Sequence, residues 1–169
     1  VFRRVRLLND PKSGKRLGVV AQRIATVTVR ETGGKGTAVG VLSATRDGVE
    51  RGDFVGPLTE EVINKLPVTG AEADAEGQVI GSLVQNLSLF GEYHIVFVDI
   101  GAEDGVLPGN TLTVTRSLDP VRKVDMEGSV VVGSLRVLTV SEGVATGLVT
   151  FSTRSIERGD RVILKQAEE

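Results

Sequence analysis

Two stretches of this sequence repeat each other: residues 38–55, AVGVLSATRDGVERGDFV, and residues 145–162, ATGLVTFSTRSIERGDRV, align without a gap. Seven positions are identical, among them the Glu-Arg-Gly-Asp run at 50–53 and at 157–160. In each stretch an apolar strand pattern ends in a polar turn and then resumes, which is typical of antiparallel β structure. The repeat therefore predicts a duplicated β-meander.

The turn inside this repeat occurs a third time, at residues 104–110, DGVLPGN. This middle copy matches the others only in the turn and in the strand after it. In each copy we expect an aliphatic residue to plug a core, namely Val49, Val106 or Ile156. A glycine then reverses the chain with a positive φ, which glycine adopts at little cost. The following Asp or Asn side chain accepts backbone N–H groups. The predicted structural turn residues are Gly52, Asp53, Gly109, Asn110, Gly159 and Asp160.

The composition also favours strands. Aromatic residues make up 4% of the chain and Trp is absent, so the core must be aliphatic, and many of the aliphatic residues are β-branched. Twenty-one glycines suit a chain with many tight turns. We predict an all-β fold of small barrel-like or sandwich-like units with little helix. The predicted organisation is an N-terminal β unit over 1–60, a connection with a possible short helix over 61–77, and a C-terminal β unit over 78–169.

The chain offers little to catalysis. It has no Cys and one His, His94, which falls in a predicted strand. A pair of carboxylates would suffice for a glycosidase, and Glu103 with Asp104, or Asp47 with Glu50, are the candidates. They lie in the turns, where solvated acids are ordinary. We therefore predict no catalytic, cofactor-binding or metal-binding residue and expect that the protein is not an enzyme.

Charge is distributed unevenly. Residues 1–35 carry nine basic and two acidic side chains, whereas residues 36–110 carry three basic and twelve acidic ones. Solvated strand faces that differ in charge would explain this, but so would a basic surface that meets an acidic partner or a neighbouring copy. Nucleic acid is a poor partner for a mildly acidic chain without a pattern of stacking aromatics. The candidate partner-binding residues are Arg3, Arg4, Arg6, Lys12, Lys15 and Arg16.

The beginning of the chain carries a more specific pattern. Phe2-Arg3-Arg4, followed by residues 9–18, NDPKSGKRLG, resembles the segment that follows the LysM domain in secretin-associated (TsaP-like) proteins of the type IV pilus. The later strands follow the same layout, so the resemblance covers nearly the whole chain. The C-terminal part is similar to the C-terminal domain of the flagellar assembly protein FlgT.

This resemblance implies a periplasmic, outer-membrane-associated scaffold without enzymatic activity. It would associate with the outer-membrane secretin ring, and an upstream LysM domain, not among these residues, would hold peptidoglycan. Neighbouring copies of the chain are further possible partners. Two alternatives stay open at this point: a module that binds glycan or peptidoglycan directly, and a hydrolase of the same polymer that uses Glu103 and Asp104.

Overall fold

The computed structural model describes residues 1–10, 13–57, 67–118 and 125–166 of the 169-residue chain. It is all-β, as predicted, and no α-helix occurs in the described part. The chain divides into two compact units, residues 1–8 with 18–61, called the N-terminal unit, and residues 9–17 with 62–169, called the barrel unit. Most of the predicted short helix lies outside the described residues. Among the described ones, no helix is long and apolar enough to cross a membrane.

Four strands precede the barrel. They are β1 (Phe2–Asn9), β2 (Arg16–Arg23), β3 (Thr26–Thr32) and β4 (Ala38–Ser43). β1 pairs with β2 and β3 pairs with β4. The backbone of Phe2 also exchanges two hydrogen bonds with that of Phe54, of 2.8 and 2.9 Å, and the two rings stack at 5.6 Å. The strand position after the first turn is thereby attached to β1.

Eight strands follow. They are β5 (Ala75–Ser82), β6 (Leu89–Phe90), β7 (Ile95–Val98), β8 (Thr111–Leu118), β9 (Asp125–Ser141), β10 (Val144–Ser152), β11 (Ile156–Glu157) and β12 (Arg161–Leu164). Six of them close an antiparallel barrel in the order β10-β7-β5-β12-β8-β9. β6 and β11 form a separate two-stranded pair. The barrel interior is aliphatic, with Val79, Leu112, Leu135 and Val149 among its fully buried side chains.

The predicted repeat is visible in the strand register. In the β3–β4 pair Val29 lies opposite Gly40, and in the β9–β10 pair their counterparts Val137 and Gly147 are opposite each other. Each pair then has one extra residue in its first strand, a β-bulge at Arg30 and at Leu138. Two segments that share a register and a bulge are the same structural unit, so the β-meander is duplicated as the sequence predicts.

The middle copy is more complete than the sequence indicates. β5 and β7 pair with the same kind of bulge, at Ile80, before the chain reaches the second turn and β8. The barrel thus contains two copies of one unit: β5, β7, turn and β8, then β9, β10, turn and β12. The prediction that the middle copy shares only the turn and its following strand was wrong. The β5–β7 hairpin before that turn has the same pairing and bulge as the other two hairpins but different residues.

Candidate functional site

The three turns are built in the same way. In each, a side-chain oxygen of Asp53, Asn110 or Asp160 accepts a hydrogen bond of 2.7 Å from the backbone N–H three residues before it. The same three residues donate their own N–H groups back to the carbonyl oxygens at those positions. The glycine before each has a positive φ, 102° at Gly52, 92° at Gly109 and 93° at Gly159. The acceptor side chain therefore closes the turn, as the sequence suggested.

Two of these turns also bind an arginine. In the third turn Arg116, on β8, donates from Nε and Nη2 to the two carboxylate oxygens of Asp160 at 2.6 Å. Its Nη1 reaches Glu157 at 2.9 Å and its Nη2 reaches the Ser155 carbonyl at 2.8 Å. The side chains of Arg116 and Asp160 are 10% and 4% exposed, so this is a largely buried ion pair. The hydrogen bonds that Arg116 donates to Asp160 raise the pKa of Arg116 above its ordinary value.

Arg3, on β1, makes the equivalent contacts in the first turn. It donates to both oxygens of Asp53 at 2.9 Å and to the Gly48 carbonyl at 2.6 Å, and it also meets Asp47 at 3.1 Å. The hydrogen bond from Arg3 is the main cause that lowers the pKa of Asp53, and the backbone N–H of Glu50 adds to it. β1 therefore supplies the arginine that binds the first turn, as β8 supplies the arginine that binds the third.

The middle turn has a different partner because its acceptor is an amide. Asn110 keeps the turn closed with Oδ1 and donates from Nδ2 to the carbonyls of Thr69 and Gly70 at 3.0 and 3.1 Å. A carboxylate offers no such donor, and an amide has no charge with which to form an ion pair with arginine. The difference between the amide nitrogen of Asn and the second carboxylate oxygen of Asp therefore decides whether the turn binds a backbone segment or an arginine.

The predicted partner-binding residues have different surroundings. Arg4, Lys15 and Arg16 are exposed, Arg6 is half-buried, and Lys12 lies outside the described residues. Arg3 holds the first turn together, a structural role that the sequence did not indicate. Their contact with a partner stays a prediction.

The candidate catalytic residues have local structural contacts. His94 lies one residue before β7, and its Nδ1 is 3.0 Å from the carbonyl of Gly91. Asp104 accepts a hydrogen bond of 2.8 Å from the N–H of Gly101. Within the described ranges, no three His, Cys, Asp or Glu side chains form a group that could hold a metal ion.

The N-terminal unit exposes apolar side chains that the repeat would place inside a barrel. We call this set the open face: Val29, Leu42, Val49 and Val55, which are 52, 47, 40 and 66% exposed. Their counterparts in the barrel unit are all 0% exposed: Val137, Val149, Ile156 and Val162. The expectation that Val49 plugs a core was wrong, because no strand of the described chain covers it. Exposed apolar side chains of this kind are candidates for a contact with another molecule.

No family model, no curated protein and no solved structure matches this chain. The resemblance to LysM-containing secretin-associated proteins and to the FlgT C-terminal domain therefore stays a prediction.

Proposed function

We propose that this chain is a non-enzymatic scaffold that binds another envelope protein through the open face of its N-terminal unit. The single observation that supports this most is the contrast between the open face and its buried counterparts. Burying these four side chains would contribute on the order of 1–2 kcal/mol each, at about 25 cal/mol per Å² of apolar surface. A partner would therefore gain affinity from a surface that the described residues leave exposed.

The partner in this proposal is the outer-membrane secretin ring of the type IV pilus machine, in the periplasm. The pattern at Phe2-Arg3-Arg4 and residues 9–18 supports this choice. In the same proposal, an upstream LysM domain links the assembly to peptidoglycan. The basic exposed side chains Arg4, Lys15 and Arg16 add an electrostatic attraction to an acidic partner surface.

The proposal is tested by measuring how much purified secretin ring the full 169-residue chain binds. Val29→Asp places a carboxylate in the open face, and Val131→Asp is the matched control. Both valines lie in strands and both are 52% exposed, but Val131 is on the outside of the barrel unit. We expect Val29→Asp to weaken binding at least about tenfold, because a buried unpaired charge is costly, and Val131→Asp to leave it unchanged.

Two results would overturn the proposal. One is a wild-type chain that does not bind secretin but sediments with purified peptidoglycan, which would favour the direct glycan-binding alternative. The other is an equal loss of binding for both variants, which would remove the open face from the contact.

A further inference from the structure

The two ends of the closed barrel expose different side chains. β5, β8 and β10 run toward one end, and β7, β9 and β12 run away from it, because every pair in the barrel is antiparallel. Residues 83–94 and 153–160 connect strands at the end that β5 and β10 reach. Exposed apolar side chains gather there, and we call them the apolar rim: Leu83, Val84, Leu89, Tyr93, Val131 and Phe151. At the opposite end, the exposed large apolar side chains among the described residues are Val68 and Leu107.

Backbone contacts place the members of the apolar rim along one edge. The N–H of Tyr93 donates to the carbonyl of Val149 at 2.9 Å, two residues before Phe151. Two residues after Phe151, the hydroxyl of Thr153 donates to the carbonyl of Val131 at 3.3 Å. The loop before β7, the end of β10 and the early part of β9 are therefore neighbours, and their exposed apolar side chains share one end of the barrel.

Tyr93 is held in this edge in an unusual backbone conformation. Its φ is 67°, in the left-handed region that bulky residues rarely adopt. The turn is fixed by the N–H of His94, which donates to the carbonyl of Gly91 at 3.2 Å. Gly or Asn is the ordinary residue at such a position. The side chain here is instead an aromatic one that is 82% exposed, so it adds little to the core. A strained residue that the packing does not require points to a role outside the fold.

Charge differs between the two ends in a matching way. Arg154 and Arg158 are exposed beside the apolar rim. The two acids of the third turn already pair with Arg116, so Glu92 is the remaining exposed acid in the described loops of this end. The one cation in the described loops of the opposite end is Lys165, which pairs with Asp74. The exposed acids that have no ion pair at that end are Glu72, Glu103, Asp104 and Glu142.

We infer that the apolar rim of the barrel unit binds the surface of an anionic phospholipid membrane. Tyr93 and Phe151 insert between the lipid headgroups, and Arg154 and Arg158 meet the phosphates. A tyrosine suits this depth because its ring is apolar and its hydroxyl is polar. Basic side chains beside inserted apolar ones add attraction to anionic lipid. The acidic end then faces away from the negative surface. Since the barrel unit alone carries these features, the inference does not depend on the proposed secretin contact.

A protein partner fits the apolar rim less well. The core of a specific protein interface is matched in shape and depleted in charged residues. The rim instead presents separate apolar side chains with the charged residues Glu92 and Arg154 between them. A fluid lipid surface adapts to such scattered anchors, because each side chain can enter it independently.

The apolar contact is tested by sedimenting the full chain with vesicles of phosphatidylglycerol and phosphatidylcholine. Tyr93→Asn removes the ring and keeps the fold, because Asn tolerates the left-handed conformation. We expect it to weaken vesicle binding at least about threefold, and Tyr93→Asn with Phe151→Ser at least about tenfold, from the loss of inserted apolar surface. Val68→Asn is the matched control, since Val68 is 71% exposed at the opposite end, and it should bind as the wild type does. A double variant that binds vesicles as tightly as the wild type would overturn the inference.

The charge contact has its own comparison. Arg154→Gln with Arg158→Gln should weaken binding to these anionic vesicles at least about tenfold, and should change binding to vesicles of phosphatidylcholine alone much less. Arg4→Gln with Arg16→Gln removes two other exposed arginines and should leave vesicle binding unchanged. An equal loss in the two double variants would overturn the inference, because the attraction would then not belong to the apolar rim.

Two substitutions separate this inference from the proposed function. Val131→Asp, in the apolar rim, should weaken vesicle binding and leave secretin binding unchanged, whereas Val29→Asp should do the reverse. A wild-type chain that binds secretin but no vesicles would overturn the lipid contact alone, and one that binds vesicles but no secretin would overturn the proposed function alone. Self-association without vesicles that Tyr93→Asn abolishes would also overturn the lipid contact and identify a second copy as the occupant of the rim.

Discussion

Arg116 and Asp160 form a two-point ion pair in which Nε and Nη2 of the guanidinium donate to the two carboxylate oxygens at 2.6 Å. Both side chains are largely buried, and the same carboxylate also closes the third turn through the N–H of Glu157. The pair therefore attaches β8 to the turn that precedes β12. Planar guanidinium and carboxylate groups suit such a two-point contact better than a lysine would.

Replacing Arg116 by Met should destabilise the barrel unit. It leaves Asp160 buried without a cation, and we expect the free energy of unfolding to fall by about 3 kcal/mol, since breaking one side of a buried pair is costly. The control is Arg161→Met, which removes the exposed pair with Glu76 and should cost less than about 1 kcal/mol. Hydrogen exchange of the β9 amides measures both. Equal stability of the two variants would show that the turn does not depend on its arginine.

The choice between an acid and an amide in the turn predicts a second effect. Asn110→Asp places a carboxylate against the carbonyls of Thr69 and Gly70 in a fully buried site. At pH 7 we expect a loss of stability above about 2 kcal/mol, because two carbonyls lose their donor and a charge is buried. Burial raises the pKa of the new carboxyl, so protonation near pH 4 should restore part of the loss. Urea unfolding at both pH values checks this, and a loss that does not change with pH would contradict it.

The first turn should respond to acid in the opposite sense. The hydrogen bond from Arg3 lowers the pKa of Asp53 in the folded chain, with the N–H of Glu50 contributing. A carboxyl with a lowered folded pKa stabilises the fold above its unfolded pKa, about 4 for Asp, and loses that contribution as the pH falls through the folded value. Protection of the β1 amides should therefore decrease below about pH 4. In Asp53→Asn the β1 amides should be less protected at neutral pH, and their protection should change less as the pH falls. Equal slopes of protection against pH in the wild type and the variant would contradict this account. Asp47 and Glu50 also face Arg3 in both proteins.

The basic side chains predict a salt dependence of binding. Reversing Arg4 and Arg16 to Glu should weaken association with secretin rings at least about tenfold at low salt and much less at 0.5 M salt, where charges are screened within a few ångströms. Arg3 is kept unchanged because its reversal would also disrupt the first turn. Arg158→Glu, an exposed arginine in the third turn, is the control. Equal binding of the double variant across the salt series would remove these charges from the interface.

The duplicated meander and the turn chemistry could be predicted from the sequence because they depend on local residues. A gapless match requires the same hairpin register, and glycine followed by Asp or Asn requires the same turn. Strands near β5 and β7 were predicted, but their equivalence to the repeated hairpin was missed, because the hairpin geometry repeats while its inward residues need only be small and aliphatic. A hairpin that shares its register with the repeat but not its residues cannot be detected in a sequence alignment.

The roles of Arg3 and Arg116 were missed for a different reason. Arg3 precedes Asp53 by 50 residues, whereas Arg116 precedes Asp160 by 44. A gapless comparison of the repeat therefore does not align the two arginines. A usable signal exists, since Val1-Phe2-Arg3 and Val114-Thr115-Arg116 share a valine and an arginine, and a buried Asp requires a cation. The open face could not be predicted at all, because an apolar strand pattern does not indicate whether other strands cover the apolar side chains.

Hydrogen exchange of the full chain, with and without purified secretin rings, tests the central claim most directly. In β4 (Ala38–Ser43) some amides donate to β3, and those that point away from β3 have no strand partner in the described chain, so they should exchange rapidly in the free chain. The account predicts that secretin protects these amides at least about tenfold while the amides of β7 to β10 in the barrel unit do not change. Protection confined to the barrel unit, or none at β4 under conditions where the secretin is bound, would contradict it.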